Sequence, residues 1–367
     1  MSMLLKTKPK EDGYRMPAEW HPHKQTWMLW PERTDTWRLG AKPAQDNYVK
    51  VAHAIAEFEP VTVCVSAQQY ENASIALSHP RIRVVEMSQN DSWIRDSGPT
   101  FLINDEGGLR GVDWAFNAYG GQVDGLYFPW DQDDKVARKV LAIENCDRYR
   151  TDGFVLEGGS IHTDGEGTIL TTEEVLLSPG RNPSLSKEEI ETYLKDYLNA
   201  EKVLWIKEGI YKDETNGHID NMACFVRPAE IVLAWTDDKS DPQYKRSSDA
   251  YEYLCSQKDA KGRPIKVHKL PLPKPIMESA EDILGIDHSD TAWDREAGNR
   301  AGASYINYLT CNKGIVMPKY GDPNDDAAAK VLQDLMPDHK VVQVPTRQIL
   351  LGGGNIHCIT QHQPLPI

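Results

Sequence analysis

SKEEIETYLKDYLNAEKVLWIKEGIYKDETNGHIDNMACFVRPAEIVLAW, residues 186–235, carries one complete structural unit. Ser186 and Glu189 have the S-x-x-E spacing of a capping box, in which each side chain satisfies the other's backbone N–H. Ile190, Tyr193, Leu194, Tyr197 and Leu198 then recur on one helical stripe. KVLWI follows as a short β-type run. A polar corner with Gly217 comes next, and after it two further β runs, HIDNMACFV and EIVLAW. The unit reads helix, strand, polar glycine corner, strand, turn, strand.

The same grammar recurs without a repeat of residue identity. Amphipathic segments cover Asn47 to Phe58, Lys135 to Ile143 and Pro242 to Ser256, and another begins near Asp325. VTVCV, IKVHKL and KVVQV are β runs that follow three of these helices. Strand pairs are expected in TFLIND…GLRGVDW, GSIHTD…GTILTT and YINYLTCN…GIVMPKY. Asp96, Glu157 and His218 stand 61 positions apart (157 − 96 and 218 − 157), and Asn307 and Cys358 stand 51 apart (358 − 307). A period of this size suggests modules stacked around an axis, four or five of them using the whole chain. The competing reading is an ordinary α/β protein with coincidental spacing. In a radial arrangement the glycine corners converge, because Gly lets backbones approach closely. Asp96, Glu157, His218, Asp220 and Cys358 would then meet.

Composition bounds the chemistry. The 367 residues are 40% apolar and 26% charged, an ordinary globular balance. With 55 acidic against 41 basic residues the net charge is −14, which offers no field for nucleic acid or an anionic membrane. Solubility is the first reading of that charge, and a small cationic substrate would also fit the field. The six cysteines are scattered without a CxxC pair, unlike a secreted disulfide scaffold. No apolar run reaches the ~18 residues of a membrane span, and the first residues lack the apolar stretch of a signal peptide. A reduced, cytoplasmic protein is expected.

LGGGNIHCIT, residues 351–360, raises the question of what Cys358 does. A core thiol gains nothing from three glycines beside it. Cys358, His218 and Asp220 are permitted zinc ligands, but no zinc-site spacing is present, which argues against a metal. A buried core thiol stays the competing reading, weakened by those glycines, and a nucleophile is the reading set against it. Neighbours on a strand face opposite ways, so an extended segment would turn His357 away from Cys358 and leave His218 as its partner. The same alternation would put His218 and Asp220 on one face. Asp91 competes with Asp96 as the functional acid of its loop. Cys and His amid several carboxylates suit a substrate that is itself a cation. A guanidinium pairs bidentately with carboxylates and would favour a nearby thiolate.

WIRDSGP, LEGGS, NGHIDN and GGGNIHC together resemble the motifs of the agmatine deiminases (agmatine iminohydrolases), in the bacterial peptidylarginine deiminase branch of the guanidino-group-modifying, or pentein, superfamily. The likeness runs from Met16 onward in motif order. It implies one catalytic domain over 1–367, an α/β fold built as a five-bladed propeller of ββαβ-type modules, and hydrolysis of agmatine to N-carbamoylputrescine and ammonia without a metal or organic cofactor. By the same resemblance Cys358 is the nucleophile and His218 the general acid and base. Asp96 and Asp220 clamp the guanidinium, supported by Glu157, and Trp93 and Glu214 wall the pocket. A homo-oligomer, dimer or tetramer, is implied as well. The alternatives are deimination of free or peptidyl arginine, and a non-enzymatic propeller that binds a polyamine or a protein. Arg95 and Arg347 lie near the motifs as conceivable partners for arginine's carboxylate, and alternation turns Arg95 away.

Overall fold

The crossover helix opened by Ser186 spans Lys187–Leu198, and its capping box is formed: the Ser186 side chain accepts from Glu189 N at 3.2 Å while Glu189 accepts from Ser186 N at 2.8 Å. Such a cap is worth about 1 kcal/mol. Ile190, Leu194 and Leu198 are buried on its inner face, and Tyr193 stacks on Phe154 at 4.3 Å between ring centroids. The helix returns the chain to strand Lys202–Ile206, which pairs in parallel with Thr168–Thr172; that strand in turn pairs antiparallel with His162–Thr163.

This computed structural model describes residues 2–366, and the same unit occurs in it five times. In each sheet an edge strand pairs antiparallel with a second strand, and a helix then crosses over to a parallel third. The other edge strands are Thr100–Ile103, Ala223–Arg227, Leu309–Cys311 and Thr360–Pro364. The remaining crossover helices are Lys42–Ala56, Val136–Ile143, Pro242–Ser256 and Asp325–Leu335. Two sheets carry a fourth strand, Leu4–Leu5 and Ile82–Glu86. The C-terminal strand Thr360–Pro364 pairs with the early strand His23–Leu29, and that pairing closes the ring. The fold is a five-bladed α/β propeller: the modular grammar suggested a ring of four or five units, and the blade count is the one the family resemblance implied.

Two details differ from the sequence reading. The first long helix begins at Lys42, not near Asn47, because Pro43 sits in its first turn, where a missing N–H costs nothing. Asp147–Val155 is a full strand although DRYRTDG is polar. Its charges are neutralised in place: Arg148 and Arg150 both pair with buried Asp113 of the neighbouring strand, at 2.6 and 3.0 Å.

Candidate active site

Each of the residues singled out by spacing lies immediately ahead of an edge strand. Asp96 is in the helical turn Ile94–Ser97, Glu157 caps Gly158–Ser160, and His218 caps Ile219–Met222, which contains Asp220. Asn307 precedes Leu309–Cys311, and Cys358 precedes Thr360–Pro364. Hydrogen bonds link neighbouring corners around the whole ring. Arg95 N donates to Cys358 O at 3.1 Å, and Gly159 N to Asp96 Oδ1 at 2.9 Å. Thr172 Oγ1 donates to Gly217 O at 2.7 Å, Asn307 Nδ2 to Asn221 Oδ1 at 3.0 Å, and His357 N to Asn307 O at 3.3 Å. The corners are fully buried, and five blades hold one small volume.

Gly159 shows how tight that volume is. A Cβ there would lie 2.6 Å from His218 Nδ1, 2.9 Å from Asp220 Oδ2 and 2.9 Å from Asp96 Oδ1. Only a residue without a side chain fits where three functional groups meet. Gly354 does the same beside the cysteine, where a Cβ would stand 2.6 Å from the Trp93 ring and 3.1 Å from Cys358 Sγ.

The thiol of Cys358 donates to Asp220 Oδ2 at 3.6 Å and accepts from Asn307 Nδ2 at 3.1 Å. Burial, with Asp220 and Asp96 as like charges, pushes this thiol well above its ordinary range; Asn307 acts the other way. Tyr119 OH donates to Asp96 Oδ2 at 2.9 Å. Burial raises the Asp96 carboxyl to about 6, opposed by His218 and reinforced by Asp220 and Glu157. Burial also acts to raise Asp220, but the hydrogen bond and charge of His357, with His218 and Arg95, hold it below the usual carboxylate range. Glu157 Oε1 accepts from Arg181 Nε at 2.9 Å, a pair with no exposure on either side chain. Three polar atoms of this cluster are buried without a hydrogen bond: Glu157 Oε2, His218 Nε2 and Asp220 Oδ1. Two acceptors and a ring nitrogen left unmatched are what a planar, multidonor cation would satisfy.

Trp93 and Glu214 both line one shallow depression, together with Asp35, Asp91, Tyr127 and Arg295, and Trp93 borders the cluster as well, across Gly354 from Cys358. Trp93 stacks on Trp37 at 5.1 Å. Arg295 reaches in from the long segment between Lys266–Pro271 and Leu309–Cys311, pairing bidentately with Glu214 at 2.5 and 2.7 Å and donating to Gly352 O at 2.7 Å. Trp293 of the same segment donates its backbone N–H to Leu126 O at 2.8 Å, which fastens the segment across the mouth.

Several expectations are corrected here. His218 and Asp220 are brought together by a helical turn, not by strand alternation; Nδ1 of His218 lies 3.8 Å from Asp96 Oδ1 and 4.0 Å from Asp220 Oδ1. His357 and Cys358 also sit in a turn, and His357 does more than pack: its Nδ1 bonds Asp220 Oδ2 at 2.9 Å. Asp91 does not reach the cluster; it accepts from the indoles of Trp37 and Trp93 at 2.8 and 2.9 Å and so sets the wall. Arg95 does turn away, as expected, though from a helical turn and not a strand, and reaches Glu19 and His357 O; Arg347 pairs with Asp282. Sequence reasoning missed the roles of Asn307, Tyr119, Arg181 and Glu19. Asn307 alone had a usable mark, its 51-residue spacing from Cys358 (358 − 307). Among the described residues no group of three or more His, Cys, Asp and Glu is arranged to hold a metal, and no helix is long and apolar enough to cross a membrane.

Residues 15–364 match the family model of the Porphyromonas-type peptidyl-arginine deiminases. The agmatine deiminase of Ectopseudomonas mendocina is 58% identical over 362 residues, 99% of this chain and 98% of its own. The solved structure of the agmatine deiminase of Enterococcus faecalis superposes with a TM-score of 0.98 at 52% identity over 100% of both chains. A cysteine-to-serine C. jejuni agmatine deiminase, solved with substrate bound, superposes at 0.81 with 27% identity, over 95% of this chain and 96% of its own. A five-sheet ring that gathers cysteine, histidine and carboxylates at its axis is the architecture of the pentein, guanidino-group-modifying class. The chain belongs to the Porphyromonas-type peptidyl-arginine deiminase family, among its agmatine deiminases.

Proposed function

We propose that the protein hydrolyses agmatine to N-carbamoylputrescine and ammonia through a covalent amidino-cysteine, the whole chain 1–367 acting as one catalytic domain. The observation that carries the reading is the trio of unpartnered buried atoms, Glu157 Oε2, His218 Nε2 and Asp220 Oδ1, around Cys358. Asp96 and Asp220 clamp the guanidinium, and Glu157 supports it. Its positive charge offsets the two carboxylates that, with burial, hold the thiol protonated, so binding itself favours the thiolate, with the thiol proton released to solvent. The sulfur then attacks the central carbon, forming a C–S bond. His218, protonated, gives its proton to the departing nitrogen, and ammonia leaves as the C–N bond breaks. Neutral His218 next takes a proton from water. The hydroxide adds to the carbon, the C–S bond breaks, and N-carbamoylputrescine leaves with thiolate restored.

Agmatine is favoured over arginine by charge at the mouth. Among the described residues lining it, Glu214 pairs with Arg295 and Asp35 with Arg33, which leaves Asp91 as the acid without a cation and the lining net negative. An amine is welcome there and an α-carboxylate is not. Comparing kcat/KM for agmatine and arginine tests this: agmatine should win by orders of magnitude, and an arginine preference overturns the substrate assignment.

A further inference from the structure

Behind the site lies a second buried cluster that the chemistry above does not use. Glu19, from the segment ahead of the first long strand, is 5% exposed. Its Oε1 accepts from His357 Nε2 at 2.7 Å and from Arg95 at 3.3 Å, and its Oε2 faces His162 Nε2 at 3.6 Å. The other ring nitrogen of His357 donates to Asp220 Oδ2 at 2.9 Å. Both nitrogens of one imidazole therefore face carboxylate oxygens. With Glu19 and Asp220 both held in their ionised forms, a neutral ring would set a lone pair against one of them, and a ring with two protons satisfies both. The backbone of His357 is fixed as well: its N–H donates to Asn307 Oδ1 at 2.9 Å, and its carbonyl accepts from Arg95 Nε at 3.2 Å.

We propose that Glu19 and His357 are positioning residues that act through Asp220. Glu19 holds His357 as a cation, and that cation occupies Asp220 Oδ2 so that Oδ1 is presented to the substrate. This deepens the reading of Asp220 as a guanidinium clamp and rests on it. It also gives the histidine beside Cys358 a purpose other than that of a base. The charge ordering is consistent: burial and Arg95 oppose protonation of His357, yet Glu19 and Asp220 together hold it above the ordinary histidine range. The groups facing the pair are Arg95, His162, His218, His362, Asp220 and Cys358. Beyond these, His23 lies against His362, and Cys224, Tyr308 and Cys311 feel Glu19.

The test is the shape of the pH profile in Glu19→Gln. With Asp96 alone titrating, the acid limb of kcat/KM in the unaltered protein follows one proton. Without Glu19, His357 gives up its charge, Asp220 titrates alongside Asp96, and the limb should steepen toward two protons, with kcat/KM at neutral pH down at least about tenfold. Glu19→Asp should restore the one-proton limb. A purely structural role would scale the whole profile in Glu19→Gln and leave its shape unchanged, which overturns the proposal. Nitrogen-15 spectra of the histidine rings in the unaltered protein give a second reading that needs neither turnover nor a folded Glu19 variant. With His357 assigned by its loss in His357→Gln, both its ring nitrogens should carry protons at about pH 7.5. A neutral His357 ring there contradicts the proposal even if the substrate is agmatine; a doubly protonated ring supports it even if the substrate is not.

Discussion

Asn307 Nδ2 donates a hydrogen bond to Cys358 Sγ across 3.1 Å, joining corners of two adjacent sheets that pair with different parts of the chain. With the Asn355 backbone it is a neutral donor aimed at the sulfur, in a cluster otherwise rich in carboxylates. Asn307→Ala is expected to lower kcat/KM for agmatine about 10- to 100-fold, the worth of a hydrogen bond to a charged group. Alkylation of Cys358 should move to higher pH in the same variant. Unchanged alkylation and turnover would show that the contact does not stabilise the thiolate.

The Asp96 carboxyl, raised by burial to about 6, sets a second expectation. The free enzyme needs this group ionised, so kcat/KM should fall as pH drops through about 6. A bound guanidinium favours the ionised form, so the acid limb of kcat should lie at lower pH than that of kcat/KM. Coincident acid limbs in the two profiles would contradict this.

Arg181 and Glu157 form a pair that is wholly removed from solvent. Arg181→Met leaves the Glu157 carboxylate buried and uncompensated, at an expected cost of about 3–5 kcal/mol in urea unfolding. Adding Glu157→Gln should recover part of that stability and none of the activity. If the double variant is no more stable than Arg181→Met, the charge explanation fails.

Gly354→Ala places a methyl group 3.1 Å from Cys358 Sγ and 2.6 Å from the Trp93 ring. The nucleophile or the wall must shift. A displacement of this order is expected to lower kcat about 100-fold with the protein still folded. Near-normal kcat in a folded Gly354→Ala protein would mean that the close approach at the site is not required.

The propeller was legible because its signals are local. Capping at Ser186, helical stripes and short β runs each sit within one stretch of chain, and their order repeats. Asp96, Glu157 and His218 were legible because each stands within two positions of a glycine and at 61-residue intervals. What sequence reasoning took from strand alternation failed, since these corners are single helical turns that no periodicity of so few residues can announce. Glu19 and Arg181 were not legible for a different reason. Each acts on a residue from another blade or from beyond its own strand, and only closure of the ring brings Glu19 to His357, 338 positions away.

The central claim is that Cys358 carries the substrate's amidino carbon during turnover. Acid-quenching the protein within milliseconds of mixing with agmatine, followed by intact and peptide mass analysis, tests it directly. The expected result is an adduct of agmatine less ammonia on the peptide containing Cys358, absent from Cys358→Ser, which should also release no ammonia. Ammonia release at the normal rate from Cys358→Ser would contradict the account.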